Sequence, residues 1–197
     1  MSSSFMLIRR WACVALLSAL VACTPSSPSS AADTSKTPPA FTHSKGLHIV
    51  VYKSKRQLQV FNGKQLVQQF PIALGFNPVG GKSIEGDGAT PEGDYYITHK
   101  NPKSNFYLSL GVSYPNQADA ERGLKAKRID KPTFNQIVQA QKNQSMPPQK
   151  TALGGEVFIH GKGASSDWTW GCIALDDANM KKLFEMIPEK TPIHIQP

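Results

Sequence analysis

The spacing of apolar residues from about position 46 onward predicts a domain built mainly of β-strands. Residues 47–52 are apolar and β-branched, and residues 57–61 alternate polar and apolar side chains as a half-buried strand does. The pair Asn62-Gly63 follows and favours a type I′ turn, so a hairpin to a third strand over 64–74 is expected. Further strands are expected over residues 93–98, 106–113, 156–159 and 192–195.

The period of the pattern changes to that of a helix in two places. Asn116 and Asp130 are residues suited to capping a helix, and Pro132 suits the first turn of the second one. We interpret residues 116–150 as a helical insert between strands. Helices are expected over about residues 116–127, 130–141 and 176–187.

The first 45 residues have a different character. Arg9-Arg10 precede an apolar run over 11–22 that is too short to span a bilayer, so residues 1–22 are predicted to be a signal peptide. The run ends in Leu20-Val21-Ala22-Cys23, which resembles a bacterial lipobox, in which the cysteine is lipidated. Cleavage near Ser29-Ser30-Ala31, leaving a soluble secreted protein, is the alternative.

Residues 23–45 are rich in Ser, Thr and Pro and are expected to be a disordered tether, leaving residues 46–197 as one folded domain. The formal charge of +8 falls to +6 when Arg9 and Arg10 leave with the signal peptide. A basic exported protein suits anionic headgroups or a carboxylate-rich wall polymer. The cations are scattered, without a basic stripe interleaved with aromatic residues, so nucleic acid is not an expected partner.

Cys172 is the one thiol that this processing would leave usable, because Cys13 lies in the signal peptide and Cys23 would carry lipid. It stands twelve residues after His160, which lies with Gly161 at the end of the strand expected over 156–159. An imidazole can accept the proton of such a thiol and stabilise the thiolate, so we interpret Cys172 as a nucleophile and His160 as its base. One thiol without paired histidines predicts no metal site, and no cofactor is expected.

The residues around this pair suggest supporting roles. The carbonyl of Gly161 can orient the second ring nitrogen of His160. Gly171 lets the backbone approach a substrate, so the amides of residues 170–172 are candidates for an oxyanion site.

Each of these residues also has a purely structural interpretation. A lone cysteine is often buried and inert, and a lone histidine is often structural. The side chains of Trp168 and Trp170 either line the cleft or belong to the core, and Thr169 either contacts substrate or makes a local turn through its hydroxyl.

The sequence resembles the L,D-transpeptidase (YkuD-type) catalytic domain over about residues 46–196. The resemblance rests on the segment 159–161 (Ile-His-Gly) followed by 167–175 (Asp-Trp-Thr-Trp-Gly-Cys-Ile-Ala-Leu). Residues 89–95 and 110–116 also resemble stretches of one branch of the family.

The resemblance implies a mainly β fold, a β-sandwich with a few short helices, acting on peptidoglycan stem peptides. It implies that Cys172 attacks the third stem residue, releases the terminal D-alanine and forms a thioester that an amine acceptor resolves. His160 is then the base, Gly161 its backbone partner and Gly171 part of the oxyanion region. Thr169, Trp168 and Trp170 are the candidate substrate-binding residues.

One departure from the family pattern affects substrate choice. Many members have His or Arg where this chain has Trp170, and many have Arg where it has Ala174. Trp offers a single N–H donor and a large apolar face.

Three functions remain open: an L,D-transpeptidase, an L,D-carboxypeptidase or amidase-type hydrolase that uses the same thioester, and a non-catalytic wall-binding lipoprotein. We expect a monomer anchored by lipid on Cys23 at the periplasmic face of a membrane. Thr24 in place of Asp favours the outer membrane.

Overall fold

Eight strands from residues 46–197, the part of the chain that the computed structural model describes, form one curled sheet. The strands are β1 (Leu47–Tyr52), β2 (Gln57–Asn62), β3 (Gln65–Pro71), β4 (Gly93–Ser104), β5 (Tyr107–Val112), β6 (Phe158–His160), β7 (Ile173–Ala174) and β8 (Pro192–Gln196). The helices are α1 (Gln117–Lys125), α2 (Lys131–Lys142) and α3 (Asp177–Met186). The strand order in the sheet is β3-β2-β1-β8-β4-β5-β6-β7.

Strand β4 joins the two halves of the sheet. Its first residues, Gly93 to Tyr96, pair with β8, and the part from Ile97 to Ser104 pairs with β5 through two shifts of register. Such irregularities bend and twist a strand, which lets one long strand serve both halves. The curl brings Ala73, just after β3, to Ala174 in β7, where two backbone hydrogen bonds of 2.9 Å join them.

Alternating side chains on the strands build the core between the curled sheet and α3. In β2 and β8, Leu58, Val60, Ile193 and Ile195 point inward and are almost completely buried, as the period of two predicts. Met180 and Leu183 place the apolar face of α3 on the same core. The predicted mainly β fold with short helices is confirmed.

The hairpin between β2 and β3 is present, but its turn lies one residue later than predicted. Asn62 pairs with Gln65 as the last ladder pair, so Gly63 and Lys64 form the turn. Gly63 has φ +57° and is the residue there with a positive φ, whereas a type I′ turn would need two.

The helical insert has a small core of its own, formed by Ala120, Ile129, Ile137 and Leu153. Two tyrosines bond this region to the rest of the domain. The hydroxyl of Tyr96 in β4 donates to Ser145 O at 2.7 Å, and that of Tyr114, just after β5, donates to Leu153 O at 2.9 Å. The caps by Asn116 and Asp130 are present, with side chains accepting from the N–H groups of Asp119 and Thr133. The insert is therefore a firmly attached part of the domain.

The two-residue strand β7 was missed by the pattern because it is too short to show a period. The predicted signal peptide, the lipidated Cys23 and the tether over 23–45 lie outside the described residues. None of the helices within residues 46–197 has the length and apolar character needed to cross a bilayer.

Candidate active site

The parallel pair β6 and β7 places His160 and Cys172 on one face of the sheet. Ile159 pairs with Ile173, and both are fully buried toward the core. Because side chains alternate along a strand, Phe158, His160 and Cys172 project to the opposite face. All three line a cleft of about 380 Å³ there.

His160 is held in one orientation and one tautomer. Its Nδ1 lies 2.7 Å from the carbonyl oxygen of Gly161, and because a carbonyl only accepts, Nδ1 carries the proton and Nε2 is the basic nitrogen. The rings of Phe106 and Trp168 flank the imidazole, with centroids 4.7 and 5.6 Å away. The resulting burial lowers the pKa of His160, although the hydrogen bond to Gly161 opposes the shift.

Cys172 Sγ lies on the floor of the cleft and is partly exposed. Sγ accepts a hydrogen bond from Phe158 N–H at 3.4 Å and donates one to Glu156 O at 3.6 Å. Burial raises the pKa of the thiol to about 11, although Phe158 N–H and the Lys82 ammonium act in the opposite direction.

In this structure Sγ bonds to Phe158 and Glu156, and not to His160. Burial opposes the charged form of both the thiol and the imidazole. The predicted thiolate stabilised by the imidazole stays a prediction. Apo enzymes often show long catalytic contacts that shorten when substrate binds.

A tight turn formed by residues 169–172 presents Cys172 to the cleft. The buried hydroxyl of Thr169 accepts a hydrogen bond from Gly171 N–H at 3.2 Å and donates one to Cys172 O at 2.7 Å. Gly171 has φ +124°, and a Cβ at this position would lie 2.6 Å from Ala89 O. The turn thus needs both a hydroxyl at 169 and a glycine at 171.

The loop between His160 and this turn is anchored at both ends. Asp167 accepts two bonds from Arg56 Nε at 3.1 and 3.0 Å, one from Nη2 at 2.6 Å, and one from Leu74 N–H at 2.9 Å. At the other end, Asp177 accepts from Lys162 N–H at 2.8 Å, and Asp176 accepts from Ala164 N–H at 3.2 Å. The carboxylates at the start of α3 therefore hold the loop after His160.

Two clefts meet at Cys172. The second one has a volume of about 610 Å³ and a mostly polar lining that includes Lys82, Glu85, Lys150 and Glu156. The first is mostly aromatic around His160. A substrate that reaches the sulfur can thus extend in two directions of different polarity.

Trp170 stands at the boundary and lines both clefts. It is 71% exposed and contacts Phe76 edge to face at a centroid distance of 4.9 Å. Trp168 lines the aromatic cleft and donates from Nε1 to Gly163 O at 3.1 Å. Both side chains are placed at the cleft and not in the core.

The structure thus brings Cys172, His160, Gly161, Gly171 and Thr169 together as the spacing suggested. Their catalytic and binding roles stay predictions. Within residues 46–197, no group of three or more His, Cys, Asp or Glu side chains is arranged to hold a metal ion.

Lys82, which lines the polar cleft beside Gly171, and its ion-pair partner Asp87 were not predicted from the sequence. They lie in a Gly-rich and Pro-rich loop about ninety residues before Cys172, and no local pattern connects the two segments. The one available signal for a site in this loop was the presence of a lysine and an aspartate among its glycines.

Comparison with known proteins gives a consistent result. The family model of the YkuD L,D-transpeptidase catalytic domain matches residues 46–195. Among curated proteins, no significant sequence match was found.

Several solved structures are similar to this chain. Pgp2 from Campylobacter jejuni, described as a helical cell shape determining protein, is 25% identical with a TM-score of 0.53, and the match covers 77% of this chain and 47% of that chain. Bd1075 from Bdellovibrio bacteriovorus is 24% identical with a TM-score of 0.48, covering 78% of this chain and 48% of that one. An L,D-transpeptidase from Mycobacterium smegmatis is 12% identical with a TM-score of 0.46, covering 77% and 58%. This chain spans about half the length of the Pgp2 and Bd1075 structures.

Proposed function

Because this chain belongs to the YkuD family of L,D-transpeptidase catalytic domains, we propose that it modifies peptidoglycan stem peptides through a thioester on Cys172. The observation that carries the proposal is the placement of His160 and Cys172 on one cleft, with Nδ1 of His160 already bound by Gly161 O. This leaves Nε2 as the one basic nitrogen of the imidazole. A wall-binding protein without catalysis would not need that arrangement.

In the first half-reaction, Sγ of Cys172 bonds to the carbonyl carbon of the third stem residue while its proton passes to Nε2 of His160. The imidazolium returns this proton to the departing amine of D-alanine as the C–N bond breaks, and the acyl group stays on sulfur. Since burial opposes the charged form of both groups, we propose that the proton leaves sulfur during the attack and not before it. The S–H bond must first turn from Glu156 O toward His160.

The turn over residues 169–172 supplies donors for the negative oxygen of this reaction. Gly171 N–H is already bonded to Thr169, so the amides of Trp170 and Cys172 are the proposed oxyanion donors. Gly171 would then serve the oxyanion region through its backbone conformation.

In the second half-reaction an acceptor attacks the thioester while His160 removes its proton. Two clefts that meet at Sγ suit an acyl donor on one side and an amine acceptor on the other, which supports transpeptidation. Water is the second candidate acceptor, because Cys172 is partly exposed to solvent. Hydrolysis would make the protein an L,D-carboxypeptidase or an amidase-type hydrolase.

The helical insert is proposed to help select the acceptor. Its end contributes Gln149 and Lys150 to the wall of the polar cleft. Deleting residues 116–150 would remove both acceptors of the buried Tyr96 hydroxyl, Ala140 O and Ser145 O, so Lys150→Ala together with Gln149→Ala is the sharper test. Unchanged donor and acceptor preferences in that variant would exclude this role.

Tetrapeptide muropeptides, with and without D-methionine, separate the two acceptors. A transpeptidase forms a crosslinked dimer or exchanges D-alanine for D-methionine, whereas a hydrolase releases D-alanine and forms the tripeptide alone. Cys172→Ala is the matched control and should form neither product. Full activity of that variant would refute the thioester and revive the wall-binding hypothesis.

Intact mass after exposure to a carbapenem tests the nucleophile without a natural substrate. We expect one drug adduct per chain and none in Cys172→Ala. An adduct that persists in the variant would place the reactive group elsewhere.

We also propose that the protein acts on the outside of the cytoplasmic membrane as a lipoprotein acylated on Cys23. The sequence around that residue supports this proposal. Metabolic labelling with a fatty acid, compared between the wild type and Cys23→Ala, tests it. Equal labelling of the two proteins would refute it.

The similarity to Pgp2 supports a role in cell shape. Pgp2 is described as a helical cell shape determining protein, and its match covers 77% of this chain. Deleting the gene and measuring cell curvature and muropeptide composition together would test the role.

A further inference from the structure

Lys82 is a buried cation beside the nucleophile for which the reaction just proposed has no use. Its side chain is 4% exposed, and it lines the polar cleft together with Gly171 and Cys172. Lysine is rarely buried unless it is paired, and a buried pair contributes little net stability after desolvation. The position of this cation therefore calls for an explanation other than stability.

Two glycines form the slot in which Lys82 lies. A Cβ at Gly154 would lie 3.1 Å from Lys82 Cε, and a Cβ at Gly171 would lie 3.8 Å from Lys82 Nζ. Both glycines have positive φ, +83° and +124°. Because Gly171 precedes Cys172 in the chain, the ammonium lies next to the backbone that presents the sulfur.

Asp87 fixes the ammonium in this slot. One carboxylate oxygen of Asp87 accepts from Lys82 Nζ at 2.9 Å, and Ile84 O accepts from the same nitrogen at 3.0 Å. Asp87 also accepts backbone N–H bonds from Ser83, Ile84 and Ala89. Burial alone would raise the pKa of Asp87, but these donors together hold it below its usual value, so the pair stays charged.

The charged groups that face Cys172 come from three segments. Lys82 approaches from the 82–89 loop, Glu156 from the segment before β6, and His160 from β6. Glu85 and Lys150 also line the polar cleft, and Lys103 lines the aromatic one. The Lys82 ammonium favours the thiolate and the Glu156 carboxylate opposes it. Lys82 is buried whereas Glu156 is exposed, so solvent screens the lysine less.

We propose that Lys82 is a positioning residue of this site, held by Asp87 so that its charge favours the thiolate form of Cys172. This inference rests on the proposed function only in taking Cys172 as the reactive thiol. It assigns to the loop over 82–89 the role of favouring the thiolate by charge, which is separate from the roles of His160 and of the oxyanion amides.

The pH dependence of Cys172 alkylation tests the proposal without any peptidoglycan. The full chain is treated with iodoacetamide, a neutral reagent, from pH 6 to pH 10, below the pKa of about 11 expected for the thiol. The alkylation rate of the tryptic peptide containing Cys172 is measured by mass spectrometry, which separates it from Cys13 and Cys23. In Lys82→Met we expect the pKa of Cys172 to rise by about one unit, the low end for loss of a neighbouring charge that a carboxylate partly offsets. The thiolate fraction at pH 8 then falls about tenfold, and the alkylation rate about threefold because a more basic thiolate is more nucleophilic.

Two variants control for changes in structure. Lys82→Arg keeps the charge and should restore an alkylation rate at pH 8 close to that of the wild type. Lys64→Met removes the same charge from the exposed turn after β2, outside both clefts, and should leave the rate unchanged. A rate in Lys82→Met within about 1.3-fold of the wild type at pH 8, or an equal fall in Lys64→Met, would overturn the proposal.

Asp87→Asn tests the same charge effect if Lys82→Met does not fold. This variant removes the offsetting negative charge, so we expect faster alkylation of Cys172 at pH 7. A rate equal to or below that of the wild type would contradict the role of Lys82. Failure of the wild type on muropeptides, with the alkylation shifts as expected, would count against the proposed function alone.

Discussion

Replacing Thr169 with Val tests whether its hydroxyl maintains the turn that presents Cys172. Valine keeps the shape of the side chain but neither accepts from Gly171 N–H nor donates to Cys172 O, the contacts of 3.2 and 2.7 Å. Thr169 and Gly171 are both buried, so water replaces these partners poorly. Each of the two backbone groups left without a partner costs about 1–3 kcal/mol, so we expect a loss of about 2–6 kcal/mol in the free energy of unfolding.

Urea denaturation of the wild type, Thr169→Val and Thr169→Ser measures this loss. Serine keeps the hydroxyl and should retain stability to within about 1 kcal/mol, because it loses one methyl group. The rate of acyl-enzyme formation should fall in Thr169→Val in parallel, since the sulfur is no longer fixed. If Thr169→Val loses less than about 0.5 kcal/mol but raises KM for muropeptides, the hydroxyl contacts substrate and the structural role inferred for it is wrong.

Three further predictions concern the same cleft. Gly171→Ala should abolish acylation and destabilise the domain by about 2 kcal/mol or more in urea denaturation, because the new Cβ would lie 2.6 Å from Ala89 O. Turnover equal to that of the wild type would contradict the geometry of the turn. Trp170→Ala should change the free energy of unfolding by less than about 0.5 kcal/mol, since Trp170 is 71% exposed, while altering donor or acceptor preference on muropeptides; a large loss of stability with unchanged preference would assign it to packing. Burial raises the pKa of Cys172 to about 11. The neutral thiol's contribution to the stability of the folded state is therefore complete below the pKa of the unfolded thiol and is lost as the pH rises toward 11. Compared with Cys172→Ala in urea, the wild type should therefore lose about 2–3 kcal/mol between pH 9 and pH 11, and a constant difference would show that the thiol is not buried.

Much of the fold follows from local pattern. The alternation in β2 predicted which side chains enter the core, because one face of this strand is buried. The caps at Asn116 and Asp130 were predictable because a capping side chain bonds to a backbone amide three residues away. The Gly63 turn was displaced by one residue, since the pairing register decides which residues form the turn and local preference does not.

By itself, the sequence determined which residues are the candidate reactive pair. Cys172 stands twelve residues after His160, and Gly161 follows His160, so the predicted nucleophile, base and backbone partner all lie in one short segment. Only the tertiary structure decided the electrostatic state of that pair. The pKa values of the two groups depend on their neighbours: the rings of Phe106 and Trp168 bury His160, while Glu156 O and the Lys82 ammonium lie beside Cys172. These contacts arise only when the curled sheet brings the segments together.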